Sequence, residues 1–296
     1  MRLSLSILLS LIMPAAAFGA ETLPQRWLSA GGSLTEWVVV LGGESKLVGV
    51  DTTSQHPATV TKLPSVGYQR QLSAEGILSL NADVLVGTEE MGPPPVLEQL
   101  SAAGVRIETL SAKSDVTVLE RNLQRLGSLL GDEAKAQEVF AHYQQQLNRQ
   151  AQWVSAAQSK QAAPRVLLLL GNAGGNPMAA GADTGANWLI EQAGGHNVAT
   201  HASYKGISNE ALLALDPEVL IVADRRLRGD EAKQALLKSN PALAATRAAK
   251  AGRIVVLDPT LLVGGLGPRL PEGLAALSAA FYPASKPLLV EAHANL

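Results

Sequence analysis

The sequence predicts an α/β fold of two lobes joined by one long bridging α-helix, with the ligand cleft between the lobes. Three observations predict it. Short apolar strands alternate with helical stretches, one strand-bearing block occurs twice, and a long segment free of Gly and Pro separates the two copies.

The first element is residues 1–20, MRLSLSILLSLIMPAAAFGA, in which one Arg precedes an apolar run that ends in a Pro and small residues. This is the layout of a secretory signal peptide, and the run is too short to span a bilayer. Cleavage after Ala17 or Gly19 satisfies the small-residue rule. No Cys follows, so no lipid anchor is expected, and the mature protein is expected free in the periplasm of a double-membraned bacterium.

Beyond the signal, Leu47 to Val50, Val84 to Val86, Val166 to Leu170, Val219 to Val222 and Ile254 to Leu257 are short Leu-rich or β-branched runs. Such runs suit the buried parallel strands of Rossmann-like lobes. Helical patterns cover Pro95 to Ala103 and Ala232 to Lys238. The block Ser73-Ala-Glu-Gly-Ile-Leu-Ser-Leu-Asn-Ala-Asp-Val-Leu-Val86 recurs 135 residues later as Ser208-Asn-Glu-Ala-Leu-Leu-Ala-Leu-Asp-Pro-Glu-Val-Leu-Ile221. In each copy the Ser caps a short helix, the Glu two positions on suits the helix dipole, and a strand follows. Trp37 before Gly42-Gly43 echoes Trp188 before Gly194-Gly195, and Ala103-Gly104-Val-Arg-Ile107 echoes Lys250-Ala-Gly-Arg-Ile254.

Between the copies, Asp132 to Ser159 contains no Gly or Pro, and apolar residues from Ala134 to Val154 recur at helical intervals. A helix of that length spans roughly 40 Å, the width of a lobe. The expected boundaries are therefore a signal over 1–20, a first lobe over 21–131, the bridging helix over 132–160 and a second lobe over 161–296.

Composition narrows the function. The chain has 296 residues, of which 47% are apolar and 4% aromatic, with no cysteine and a formal charge of −2. Disulfide scaffolds and thiolate metal sites are excluded, and neither disorder nor a nucleic-acid partner is expected. No nucleophile elbow, Walker loop or zinc-protease signature is present. The Gly-rich run Gly171 to Pro177 lacks dinucleotide-binding spacing, and the five histidines are scattered without metal-ligand spacing.

The informative window is Asp51-Thr-Thr-Ser-Gln-His-Pro57 followed by Leu63-Pro-Ser-Val-Gly-Tyr-Gln-Arg-Gln-Leu-Ser-Ala-Glu75. If the segment is extended, Tyr68 and Arg70 project to one side, and a guanidinium beside a phenol stabilises the phenolate. A phenolate is a hard anionic ligand for ferric iron, and tyrosine is one of the axial ligands of haem proteins. From the residues alone, a loop tyrosine beside a surface arginine remains the commoner arrangement.

Val50-Asp-Thr-Thr-Ser54, the Val66-Gly-Tyr-Gln-Arg-Gln-Leu-Ser-Ala-Glu-Gly76 block, Gly92-Pro-Pro94, Ala179-Ala-Gly181, Gly194-Gly195-His-Asn197 and Leu266-Gly-Pro-Arg269 together resemble the periplasmic haem-binding proteins of bacterial haem-uptake ABC transporters. The likeness covers the whole mature chain. That group belongs to the helical-backbone class of binding proteins, which also holds siderophore and cobalamin binders.

The resemblance implies a ferric haem b cargo with Tyr68 as axial iron ligand, Arg70 hydrogen-bonded to the phenolate, and no enzymatic activity. It also implies that Glu75 and Glu210, one per lobe, pair with arginines of a dimeric inner-membrane permease that works with its ATPase. Arg225, Arg226 and Arg228 after the Val219 strand, and Arg269 after Gly267-Pro268, are the expected haem-propionate partners, although a solvated arginine run and a structural turn are equally ordinary roles. A single pentacoordinate haem on a monomeric carrier is the expected state. Met178, His201 and Tyr204 are the other side chains near the expected second wall. The alternatives are a ferric-siderophore or corrinoid carrier and, in another class, an exported α/β hydrolase.

Overall fold

In the computed structural model, residues 23–171, 177–224, 233–234, 237–238 and 240–290 are described. The expected signal, Arg225, Arg226 and Arg228, and residues 232, 235 and 236 of the expected 232–238 helix lie outside them. The first lobe holds a four-stranded parallel sheet in the order β2-β1-β5-β6, built from β1 (Trp27–Ala30), β2 (Leu47–Val50), β5 (Val84–Thr88) and β6 (Arg106–Leu110). Between β2 and β5 come a small hairpin, β3 (Gly67–Tyr68) with β4 (Gln71–Leu72), and helix α2 (Ala74–Ser79). Helices α1 (Gly32–Val40), α3 (Pro94–Ala102) and α4 (Val116–Leu130) complete this lobe.

Helix α5 (Glu133–Gln158) then runs for 26 residues, about 39 Å at 1.5 Å per residue. Asp132 caps its start, accepting a hydrogen bond from the Lys135 N–H at 2.9 Å. The second lobe has a mixed sheet ordered β10-β8-β7-β11-β12, with a short β9 (His196–Asn197) beside β7. Its core strands β7 (Arg165–Leu170), β11 (Val219–Ala223) and β12 (Ile254–Val256) are parallel, whereas β8 (Met178–Ala180) and β10 (Tyr204–Gly206) form an antiparallel edge. Helices α6 (Gly185–Gln192), α7 (Asn209–Leu215), α8 (Pro241–Ala245), α9 (Arg247–Lys250) and α10 (Leu270–Phe281) flank the sheet. Among the described residues no helix is long and apolar enough to cross a membrane.

The duplicated block has the same local structure twice. Ser73 accepts a hydrogen bond from the Gly76 N–H at the start of α2, and Ser208 accepts one from the Ala211 N–H at the start of α7. Each helix leads into a fully buried strand, β5 or β11. The paired tryptophans also correspond. Trp37 lies in α1 and Trp188 in α6, and each helix ends in a glycine of positive φ, Gly42 at +84° and Gly194 at +85°, where a Cβ would be strained.

Helix α1 is buried on every face, because it lies between the first sheet and the second lobe. Gly32 admits it to that position, since a Cβ there would meet the Thr53 carbonyl at 2.7 Å. The Asp51-Thr-Thr-Ser54 run ties down the turn before it. The buried Asp51 carboxylate accepts from the Gly31 and Thr53 N–H groups, each at 3.0 Å, and from the Ser54 hydroxyl at 2.8 Å. On the other side the Trp37 indole N–H donates to the Leu266 carbonyl at 2.7 Å, and its ring meets Tyr143 of α5 edge-on at 5.5 Å.

The lobes are joined there by ions as well as by apolar packing. The Arg269 guanidinium grips both Glu36 oxygens, at 3.0 and 2.7 Å, and also donates to Asp258 at 2.9 Å and to the Thr260 hydroxyl at 2.7 Å. His56 of the first lobe closes the chain at 3.1 Å from Asp258. Burial pushes the Glu36 carboxyl above its ordinary range, against the pull of Arg269. Burial works against the Arg269 charge too, yet Glu36 and Asp258 hold it above its usual range. Burial alone would raise Asp258, but hydrogen bonds from His56, Thr260 and Arg269 keep its carboxyl well below the carboxylate range.

Two outcomes follow from this junction. Arg269→Ala leaves Glu36 buried and uncompensated, and urea unfolding should show a loss of about 3 kcal/mol or more. Because the folded Asp258 pKa is depressed, its contribution is present above the unperturbed aspartate value of 3.8 and is lost as pH falls below it. The stability difference between wild type and Asp258→Asn, measured across acid pH, should therefore grow as pH rises through that value and then level off.

Candidate functional site

A cleft of about 750 Å³ opens between the lobes, within the usual range for small-molecule sites. The first lobe lines it with Arg70, Glu90 and the 112–115 loop that leads into α4, and the second with Met178, the start of α6, Tyr204 and the 261–270 segment. Trp188, Leu261, Leu262, Leu266 and Leu270 form an apolar wall. Among the described lining residues Arg70 and Lys113 are the cations, facing the carboxylates of Glu90, Asp115, Asp183 and Glu191.

Two helices begin at this cleft. Asp115 caps α4 through the Thr117 and Val118 N–H groups at 2.8 and 3.0 Å, and Thr184 caps α6 through the Asn187 N–H at 3.0 Å. The lobes approach closely at these ends, where a Cβ on Gly185 would stand 3.0 Å from the Ser114 hydroxyl.

Tyr68 and Arg70 belong to a hairpin whose two turn residues are Gln69 and Arg70, with Tyr68 opposite Gln71. The expectation of an extended segment therefore fails at this point, because alternation of side chains does not carry across a two-residue turn. Arg70 lines the cleft, but its guanidinium donates to Glu90 at 2.6 Å and is not hydrogen-bonded to the Tyr68 hydroxyl. Tyr68 lies beside the cleft, outside its lining, 37% exposed, and its hydroxyl makes no hydrogen bond among the described residues. The hairpin is stitched to the turn after β5 by Leu72 N–H to Gly92 O at 2.8 Å and Gly92 N–H to Gln69 O at 2.9 Å.

Tyr204, on the opposite wall, differs from Tyr68. Burial raises the pKa of its phenol, with the Glu90 carboxylate adding to the rise, against the opposing influence of the Thr184 side chain and the Ala186 backbone. It is a neutral, half-buried phenol at neutral pH. His201 is half-buried with Nε2 at 3.2 Å from the Ala179 carbonyl and does not line the cleft, whereas Met178 does.

Arg269 requires a correction. Its guanidinium is committed to Glu36, Asp258 and Thr260 at the junction of the lobes, and it does not line the cleft, so the geometry does not offer it to a propionate. Glu75 and Glu210 are both exposed in the first turns of α2 and α7, one per lobe. The Glu210 carboxyl is held below its ordinary range by its own backbone N–H and by Ser208. The sequence reading missed Glu90 and Lys113. Glu90 lies two residues beyond the C-terminal end of β5, the sheet edge at which α/β folds bind ligands, and that placement was the available signal. Among the described residues no group of three His, Asp or Glu side chains converges to hold a metal ion.

Residues 29–261 match the periplasmic binding protein family. A periplasmic heme-binding protein from Pseudomonas aeruginosa is 66% identical, with a TM-score of 0.88 over 90% of this chain and 96% of that one. A periplasmic heme-binding protein from Roseiflexus sp. RS-1, in its apo form, is 34% identical, with a TM-score of 0.79 over 88% of this chain and 98% of that one. A cobalamin-binding protein from Halobacterium salinarum is 27% identical over 91% of this chain and 73% of its own length. The two α/β lobes with a cleft between them accord with these likenesses. The chain belongs to the periplasmic binding protein family, and is a binding protein rather than an enzyme.

Proposed function

We propose that this protein binds ferric haem b between its lobes and carries it through the periplasm to a dimeric inner-membrane ABC permease and its ATPase. The observation that carries the reading is Tyr68. It is an exposed tyrosine with an unpaired hydroxyl, on the same hairpin that sets Arg70 in the cleft wall. Its phenolate is the hard oxygen ligand that ferric haem takes, while burial holds Tyr204 in the neutral phenol form. The heme-binding proteins named above, one of them 66% identical, support the choice of cargo.

The apolar wall around Trp188 suits the face of a macrocycle. Lys113, and with it Arg225, Arg226 and Arg228, supply the cations for the propionates. They are needed, because the described lining otherwise carries an excess of carboxylates that repel a dianion. One haem with a single protein ligand is our reading. Glu75 and Glu210, exposed on the two lobes, meet arginines of the permease.

Hemin added to the purified protein should give a Soret band with high-spin ferric charge-transfer features, and Tyr68→Ala should lose or strongly alter them. Cyanocobalamin should not compete. Bound cobalamin with hemin left free would replace this reading by a corrinoid one, and an unchanged spectrum in Tyr68→Ala would remove that residue as ligand. Lys113→Ala should weaken hemin binding by about twofold to fivefold, with the larger effect at low salt. With the permease in vesicles, Glu75→Ala combined with Glu210→Ala should impair haem delivery and leave hemin affinity intact.

A further inference from the structure

Glu90 holds both turn residues of the hairpin that carries Tyr68. One oxygen accepts from the Arg70 guanidinium at 2.6 Å and the other from the Gln69 side-chain amide at 3.3 Å. The carboxylate lies on the cleft wall at the end of β5, and the Arg70 and Glu90 side chains are 55% and 34% exposed. An ion pair so open to water is weak and can be exchanged for a better partner. A guanidinium is also at its most effective when it serves a concentrated anionic oxygen in a site from which water is excluded.

We propose that Glu90 is a positioning residue that holds Arg70 through their ion pair and competes with Tyr68 for it when Tyr68 ligates iron. The inference rests on the haem reading given above. When Tyr68 ligates ferric iron, its phenol proton goes to solvent and the iron–oxygen bond forms. The resulting phenolate and Glu90 then contend for one guanidinium. Arg70 can serve Tyr68 only by leaving Glu90, so part of the gain from ligation is spent on breaking that pair. Glu90 thereby keeps the cargo removable, which is what a delivery protein needs from a strong iron ligand.

The test uses the whole protein and hemin. Glu90→Gln keeps the shape and a hydrogen-bond acceptor while removing the charge that competes for Arg70. It should bind hemin about fivefold more tightly, release it correspondingly more slowly to apomyoglobin, and move the phenolate-to-iron charge-transfer band to higher energy. None of these changes should occur when Glu90→Gln is made in an Arg70→Ala background. Glu90→Ala, checked for folding by circular dichroism, should act in the same direction as Glu90→Gln. Unchanged or weaker hemin binding in Glu90→Gln, or the same change with and without Arg70, overturns the role of Glu90. Wild-type protein that binds no hemin overturns the haem reading itself, so the two failures are distinguishable.

Discussion

The two-lobed arrangement depends on one buried ion pair, Glu36 with Arg269. Glu36 sits on a helix buried on every face, where a lone carboxylate would be intolerable, and Arg269 reaches it from the other lobe with two hydrogen bonds. The same guanidinium takes in Asp258 and Thr260, and Asp258 in turn takes in His56 of the first lobe. Around this chain of charges the apolar core is continuous, running from Trp37 through Tyr143 of α5 to Leu266 and Leu270. Lobes joined in this way cannot separate far without exposing charge and core together, so the motion available to the cleft is a small one.

That constraint sets the character of the ligand site. The cleft is shaped largely in advance, with two capped helix ends and an apolar wall facing the hairpin that bears Tyr68. What can change cheaply is the half-exposed chemistry at its edge. Arg70, two residues along the hairpin from Tyr68, is held by the Glu90 carboxylate, and Lys113 stands free of any ion pair among the described residues. Tight junction and adjustable rim are separate devices, built from different arginines. Arg269 serves the first and Arg70 the second.

Much of this was legible in the sequence. The repeated block gave two Ser-capped helices feeding two buried strands, and the Gly-free stretch after Gly131 gave the long helix to within a residue or two, because local hydrogen bonding and periodicity decide those features. Helix α1 and the antiparallel edge of the second sheet were not read, since burial from all sides erases periodicity and three-residue strands carry little pattern. The site was legible as a set of residues more than as a geometry. Glu36 and Arg269 lie 233 positions apart, and nothing local announces their contact. Tyr68 and Arg70 were paired on the assumption of an extended chain, and a two-residue turn redirected Arg70 to Glu90.

The most direct measurement is anomalous diffraction at the iron edge from crystals of the protein grown with hemin. The account predicts one iron position within bonding distance of the Tyr68 oxygen, with the porphyrin lying in the cleft lined by Arg70, Lys113 and Trp188. Iron bound elsewhere, or bound in the cleft with Tyr68 still facing solvent, would contradict it.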